Sequence, residues 1–330
     1  RGRSWLWSQL DERPVRLVTC DMDRWPISQL NRFAAWIRRE RFDVMHTHMS
    51  SAHMYGIIMR RLTGVPVVAT AHSRHVQPWW RLNDKVIANS EATRRFHRKV
   101  NRVRSDQIVT IHPFIDTQKF CEPEPHMYRA IRRQWRFPAD TRVIVVAGDV
   151  LPHKGHTYLF QALPELIQQF PDLQVVLVGR FRRGEPCTNR LRQYLIDQRL
   201  YKRVKWIGRR NNMHEMLAAA DLVVIPSTVE AFGMVALESM AVGTPVVASE
   251  TGGLTELITH EENGLLVLPR DPRSLARSIA RLFNDADLQD RLRIGGRETI
   301  QSKFTPSVWT AEIERVLASI TDVHVDSRVA

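Results

Sequence analysis

Short apolar runs rich in Val and Ile recur along this chain, and between them lie longer stretches in which apolar residues return every three to four positions. Continuous apolar runs suit strands buried on both faces, and the 3.6-residue period suits helices with one apolar stripe. Their alternation is the pattern of βαβ units in a parallel sheet. In the first part it predicts strands over Val15–Cys20, Asp43–Thr47, Val65–Ala71, Lys85–Asn89 and Gln107–Ile111, with helices over Pro26–Glu40, Ala52–Thr63 and Glu91–Asn101. A second series of strands covers Arg142–Ala147, Gln174–Val178, Val204–Ile207, Leu222–Ile225, Pro245–Ala248 and Gly264–Leu268. The segment Cys121–Asp140 holds Pro123, Pro125 and Pro138, shows little periodicity and reads as a linker. The expected organisation is an α/β domain over residues 1–125, a linker over 126–140 and a second α/β domain over 141–305. Residues 306–330 follow, with helical spacing from Pro306 to Ile320 that crosses back onto the first domain.

Composition narrows the class. The 330 residues are 43% hydrophobic and 25% charged, which suits two ordinary globular cores. No apolar run approaches the roughly 18 residues that cross a bilayer, and none resembles a secretory core segment. Cys20, Cys121 and Cys187 are scattered, without disulfide or metal spacing, so a reducing, cytoplasmic compartment is expected. The net charge of +13 is uneven: residues 1–130 carry 22 Lys and Arg against 12 Asp and Glu, and the remaining residues 26 against 23. A basic first half attracts polyanions, whether phosphorylated substrates, nucleic acid or the anionic inner face of a membrane. The chain opens on Arg1 rather than methionine and reads as a fragment or a processed product.

The chemistry concentrates in PSTVEAFGMVALESMAVGTPVVA, where Glu230 and Glu238 have seven residues between them. An apolar strand, a turn at Phe232 and Gly233, and a helix ending near Gly243 succeed one another there. In a parallel sheet such a turn lies at the carboxyl edge, where ligands bind and a helix N-terminus offers free amides to an anion. At ~1.5 Å of rise per residue, Gly233 and Glu238 are roughly 7–8 Å apart along the axis, the span of a pyrophosphate. One carboxylate then meets a sugar at the turn and the other a second polyol such as a ribose. Taken alone, the spacing favours the plainer reading, a loop glutamate and a solvated helix glutamate.

Walker and G-x-G-x-x-G cradles are absent. AGDVLPHKGH follows the first strand of the second half, and Lys154 with Gly155 places a cation and a permissive backbone at the same sheet edge. The pair Gly252 and Gly253 in TGGLTE lets backbone approach a ligand closely. Histidines cluster at His46, His48 and His53, and again at His72 and His75. His46 and His48 have a chelating spacing, but neither carboxylate nor cysteine completes a shell, so no metal site is expected. His72, at the end of VVATAH, emerges from the first domain toward the second and is the better candidate.

These residues occur in an ordered series: FDVMHTHMSSAHMYG, GVPVVATAHS, KVIANSEATRRF, HPFIDTQKF, the HKG turn, VVLVG, and the block from PSTVEAFG through TGGLTELI to NGLLVLP. Spanning most of the chain, the series resembles the retaining glycosyltransferases of family 4 (glycosyl transferases group 1). The resemblance implies the GT-B architecture, two Rossmann-like parallel-sheet domains facing across a cleft. It implies glycosyl transfer from a nucleotide sugar with retention of configuration, without an essential metal or a cofactor beyond that substrate. By position it assigns Glu230 and His72 to the catalytic centre beside the donor sugar. Lys154, Phe232, Gly233, Met234, Glu238 and Gly253 would bind the donor, with Glu238 on the ribose and Lys154 on the departing pyrophosphate. The donor is a UDP-, GDP- or ADP-sugar and the acceptor a glycan or lipid-linked glycan of the cell envelope. Peripheral contact with an anionic membrane is expected, and nucleic acid is not.

Two positions depart from the family pattern. Where many members carry a second diphosphate-binding arginine, this chain has Asp149, so Arg180 or Arg209 is expected to supply the phosphate contact. The first domain also reads as short by one βα unit. A different class, a non-catalytic sugar-nucleotide or polyanion-binding protein, is the competing expectation.

Overall fold

The computed structural model describes residue 16 and residues 27–121, 124–138, 140–182 and 184–329. The strand expected over Val15–Cys20 lies outside the described residues except for Arg16, and so does Pro26.

The first lobe begins with helix α1 (Ile27–Glu40), whose Leu30, Phe33, Ala34 and Ile37 recur at helical spacing and pack together with Met59 and Val65. Strand β1 (Met45–His48) and helix α2 (Ser50–Thr63) follow; α2 stops at Gly64, a left-handed residue whose amide returns to the Arg60 carbonyl. Strands β2 (Val67–Ala71), β3 (Lys85–Ala88) and β4 (Ile108–Thr110) complete a parallel sheet in the order β1-β2-β3-β4. Helix α3 (Glu91–Lys99) lies between β3 and β4, and the Ser90 hydroxyl caps it by accepting from the Thr93 amide at 3.0 Å.

The expected linker is more ordered than its prolines suggest. Pro125–Gln134 forms helix α4, with proline in the first turn, where a missing amide costs nothing. Ile131 and Trp135 are buried in the core of the second lobe, and Arg132 pairs with Asp221 at 2.6 Å.

The second lobe holds strands β5 (Val143–Ala147), β6 (Gln174–Val178), β7 (Val204–Trp206), β8 (Leu222–Ile225), β9 (Val246–Ser249) and β10 (Leu265–Val267). Helices α5 (His156–Gln169), α6 (Pro186–Asp197), α7 (Met213–Ala218), α8 (Met234–Val242), α9 (Leu254–Leu257), α10 (Pro272–Asn284) and α11 (Ala286–Lys303) intervene or follow. The strand order is β10-β9-β8-β5-β6-β7, all parallel. From β5 the chain moves outward through β6 and β7, then returns past β5 to lay down β8, β9 and β10. The reversal lies between β5 and β8, paired through Ile144 with Leu222 and Val145 with Val223. The reversal marks the topological switch point, at whose carboxyl ends a ligand crevice is expected in sheets of this kind.

Helix α12 (Pro306–Val329) returns to the first lobe, where Ile313 and Ile320 pack with Val68, Ile87 and Ile111. Among the described residues no helix is long and apolar enough to cross a membrane, and Cys121 and Cys187 are free thiols.

Candidate active site at the β5–β8 crevice

The turn after β5 is a short 3-10 segment, Pro152–Lys154, closed by Gly155 at φ 69°. A side chain at Gly155 would strike the Pro226 carbonyl, so glycine is what lets this turn lie against the turn after β8. The Thr228 amide donates to the His153 carbonyl at 2.8 Å and ties the two turns together. Lys154 Nζ thereby meets Glu230 Oε2 at 2.8 Å, and the Ser227 hydroxyl donates to the same oxygen at 3.1 Å. Both charged side chains are largely buried, with 25% and 14% of their surface exposed.

Helix α8 starts directly behind Glu230. Its N-cap is Gly233, and no side chain caps it, so the first amides are left to an external acceptor. The Phe232 ring is buried and stacks on His112 at 5.4 Å, which leaves the main chain as its contribution to the turn; Met234 is exposed. Glu238 lies one turn along α8. Burial pushes its carboxyl up to about 7, with Lys119 pulling weakly the other way.

Asp149, just past β5, collects the two arginines singled out in the sequence. Its carboxylate accepts from the Arg180 amide at 2.8 Å and from the Arg180 guanidinium at 2.9 Å, and Arg209 Nε lies 3.8 Å away. Partial burial opposes ionisation of Asp149, but the Arg180 amide and guanidinium and then Arg209 outweigh it and hold the group below its usual range. The loops after β5, β6 and β7 therefore meet at one ionised carboxylate flanked by two exposed cations.

On the first lobe, His72 Nε2 lies 3.0 Å from His48 Nδ1, and His48 packs on His46, whose Nε2 is 2.7 Å from the Thr70 hydroxyl. Burial pushes all three imidazoles below the ordinary histidine value, His46 to about 4 with help from its two neighbours. They are neutral at pH 7. Among the described residues no three His, Cys, Asp or Glu side chains converge as a metal site. Two residues beyond His72, Arg74 Nη2 donates to the Glu230 carbonyl at 2.7 Å, so the loop carrying His72 abuts the turn carrying Glu230.

Four further residues at this junction escaped the sequence reading. Arg74 is one; the Ser90 hydroxyl donates to the Ala231 carbonyl at 2.6 Å. Glu256 accepts from the Glu91 and Ala92 amides at 2.6 and 2.8 Å and is 3.0 Å from His112 Nε2. The partners are 141 to 165 residues apart in sequence, and only the Ser90–Glu91 capping pattern left a local signal. Gly253, by contrast, packs directly on Phe232 backbone.

Known proteins resemble this chain in sequence and in fold. The family described as glycosyl transferases group 1 matches residues 127–299, and glycosyltransferase family 4 matches residues 9–119. The D-inositol 3-phosphate glycosyltransferase of Corynebacterium glutamicum is 26% identical over 322 residues, covering 89% of this chain and 76% of that protein. The uncharacterized glycosyltransferase MJ1607 of Methanocaldococcus jannaschii is 27% identical over 296 residues, with coverages of 81% and 72%. A glycosyltransferase from Rickettsia africae superposes with a TM-score of 0.87 at 20% identity, over 96% of this chain and 88% of that one, and so shares the fold. Anabaena HepE, crystallised with UDP and glucose, gives 0.80 at 25% identity, over 88% and 81%. With the first family match covering more than half of its length, the chain belongs to the group 1, family 4 glycosyltransferases and has their GT-B fold.

Proposed function

We propose that this glycosyltransferase is a retaining, metal-independent enzyme of hexosyltransferase type. It moves a sugar from a nucleotide-sugar donor to a glycan or lipid-linked acceptor in cell-envelope polysaccharide or glycolipid assembly, in the cytoplasm. The observation that carries the reading is the Lys154–Glu230 pair at the switch point, set before the uncapped N-terminus of α8. HepE, a neighbour of similar fold, binds UDP and UDP-glucose, which favours a UDP-linked hexose among UDP-, GDP- and ADP-sugars.

Each residue has a part in this reading. Lys154 and the Gly233 and Met234 amides receive the diphosphate, while Arg180 and Arg209 add charge where Asp149 stands in place of an arginine. Glu238 ionises when ribose hydroxyls donate to it. Glu230 turns from Lys154 toward the sugar hydroxyls, with Gly253 keeping the turn close and neutral His72 on the opposite side. The anomeric carbon–phosphate oxygen bond breaks as the acceptor oxygen attacks the same face, and the departing phosphate oxygen takes the acceptor proton. Charge building on the diphosphate is met by Lys154 and the helix end, the task a metal would otherwise perform. Arg95, Arg98, Lys99, Arg102 and Arg104 form an exposed basic face on the first lobe, which suits peripheral contact with an anionic membrane.

A panel of UDP-, GDP- and ADP-sugars, assayed for nucleoside diphosphate release with and without chelator, tests the reading. Release from one of them, unaffected by chelator and with the donor's anomeric configuration kept in the product, is expected. Donor binding without release from any sugar would support the non-catalytic alternative instead.

A further inference from the structure

Five hydrogen bonds between the lobes converge on two adjacent turns of the second lobe. Arg74 and Ser90 donate to the Glu230 and Ala231 carbonyls, while Glu91, Ala92 and His112 donate to Glu256. The two turns are themselves fastened together. The Thr251 hydroxyl donates to the Thr228 carbonyl at 3.3 Å, and the Gly253 amide donates to the Glu230 carbonyl at 3.3 Å. At Gly252 a side chain would strike both the Glu230 carbonyl and Arg74. Glu256 is therefore mechanically continuous with the main chain of Glu230.

Glu256 caps a helix that belongs to the other lobe. Helix α3 is nine residues long, and the amides of its first turn have no partners within the helix. Ser90 satisfies the Thr93 amide, but the Glu91 and Ala92 amides are satisfied by a carboxylate from the other lobe. These are charge-assisted bonds to a side chain only 15% exposed, and the positive end of the helix favours the same charge. Separating the lobes would strip Glu256 of all three partners and leave both amides open. Lys154, the uncapped α8 terminus and Glu238 all lie within the second lobe and take no part in this contact.

We infer that Glu256 is the latch of the closed cleft and a positioning residue for Glu230, so that lobe closure and placement of the Glu230 turn are one event. Its effect on turnover rests on the glycosyl-transfer reading above; its effect on lobe separation does not.

The test uses the whole chain with Glu256→Ala, and Glu256→Gln as a variant that keeps shape and one acceptor oxygen. Small-angle scattering of the free protein should show a larger radius of gyration for Glu256→Ala, with Glu256→Gln between it and the parent. UDP affinity should stay within about threefold, whereas turnover should fall about 10- to 100-fold, the range for loss of a charged hydrogen bond. Arg74→Ala should move the same readouts in the same directions. Unchanged scattering with turnover within about twofold would overturn the latch, as would UDP affinity falling in step with turnover. If the parent turns over no donor but Glu256→Ala still expands, the glycosyl-transfer reading fails and the latch stands. If Glu256→Ala does not fold, Glu256→Gln decides by the same criteria.

Discussion

Replacing Glu238 by Gln should stabilise the free protein at pH 8, leave it nearly unchanged at pH 5, and weaken nucleotide binding. Burial moves the Glu238 carboxyl from 4.5 to about 7 in the folded chain, with Lys119 opposing. Each unit is worth about 1.4 kcal/mol, so burial disfavours the ionised form by about 3 kcal/mol. Because the folded value lies above the unfolded one, the folded chain holds a proton between pH 4.5 and 7 that the unfolded chain has lost. Stability therefore falls as pH rises through that window, and the full cost is present above it. Glutamine stays neutral throughout and carries no such cost. In thermal unfolding followed by circular dichroism, Glu238→Gln should melt roughly 4–5 °C higher than the parent at pH 8 and within about 2 °C of it at pH 5. Ribose hydroxyls donate to the ionised form, so UDP should bind the parent more tightly at pH 8 than at pH 6 and release a proton on binding. Calorimetry in two buffers of different ionisation enthalpy reads that proton, and the variant should show neither effect. Equal stabilisation at both pH values, or pH-independent binding by the parent, would refute the reasoning.

Glu230→Gln should lower turnover more than donor affinity and Glu238→Ala the reverse; identical patterns in steady-state kinetics and calorimetry would contradict the division between sugar and ribose. Lys154→Ala should reduce kcat by about 100- to 1,000-fold, the scale for removing one preorganised positive contact, and added Mg2+ should not restore it. Gly155→Ala places a side chain at φ 69° against the Pro226 carbonyl and should cost about 1–3 kcal/mol in denaturant unfolding; a loss below about 0.5 kcal/mol would show that the two turns separate freely. Asp149→Asn releases Arg180 and Arg209 from their ion pairs, so UDP affinity should rise several-fold and become more salt-sensitive; an unchanged affinity would mean that neither arginine reaches the diphosphate.

Most strands were legible because a buried parallel strand is a local apolar run: Gln174–Val178 and Leu222–Ile225 fall where the pattern places them. Helix α4 was not, because its prolines hid a short period whose apolar residues, Ile131 and Trp135, are defined by what they pack against. Lys154 and Glu230 were each visible in a turn motif, as was Glu238 in its helix, since strand-turn-helix chemistry is encoded over a few neighbouring residues. Their pairing was not, because it depends on the chain reversing direction so that β8 lies beside β5 rather than beyond β7. The raised carboxyl of Glu238 likewise follows from neighbours that exclude water, not from residues beside it in sequence. Glu256 marks the limit most clearly: a lone glutamate in TGGLTE, it gains its role only where a helix end from the other lobe meets it. The sequence by itself determined the elements and the chemistry each turn can offer, which are short-range. Tertiary structure alone decided which turns face one another and which charges lose their water, because strand order, burial and lobe contact are properties of distant segments brought together.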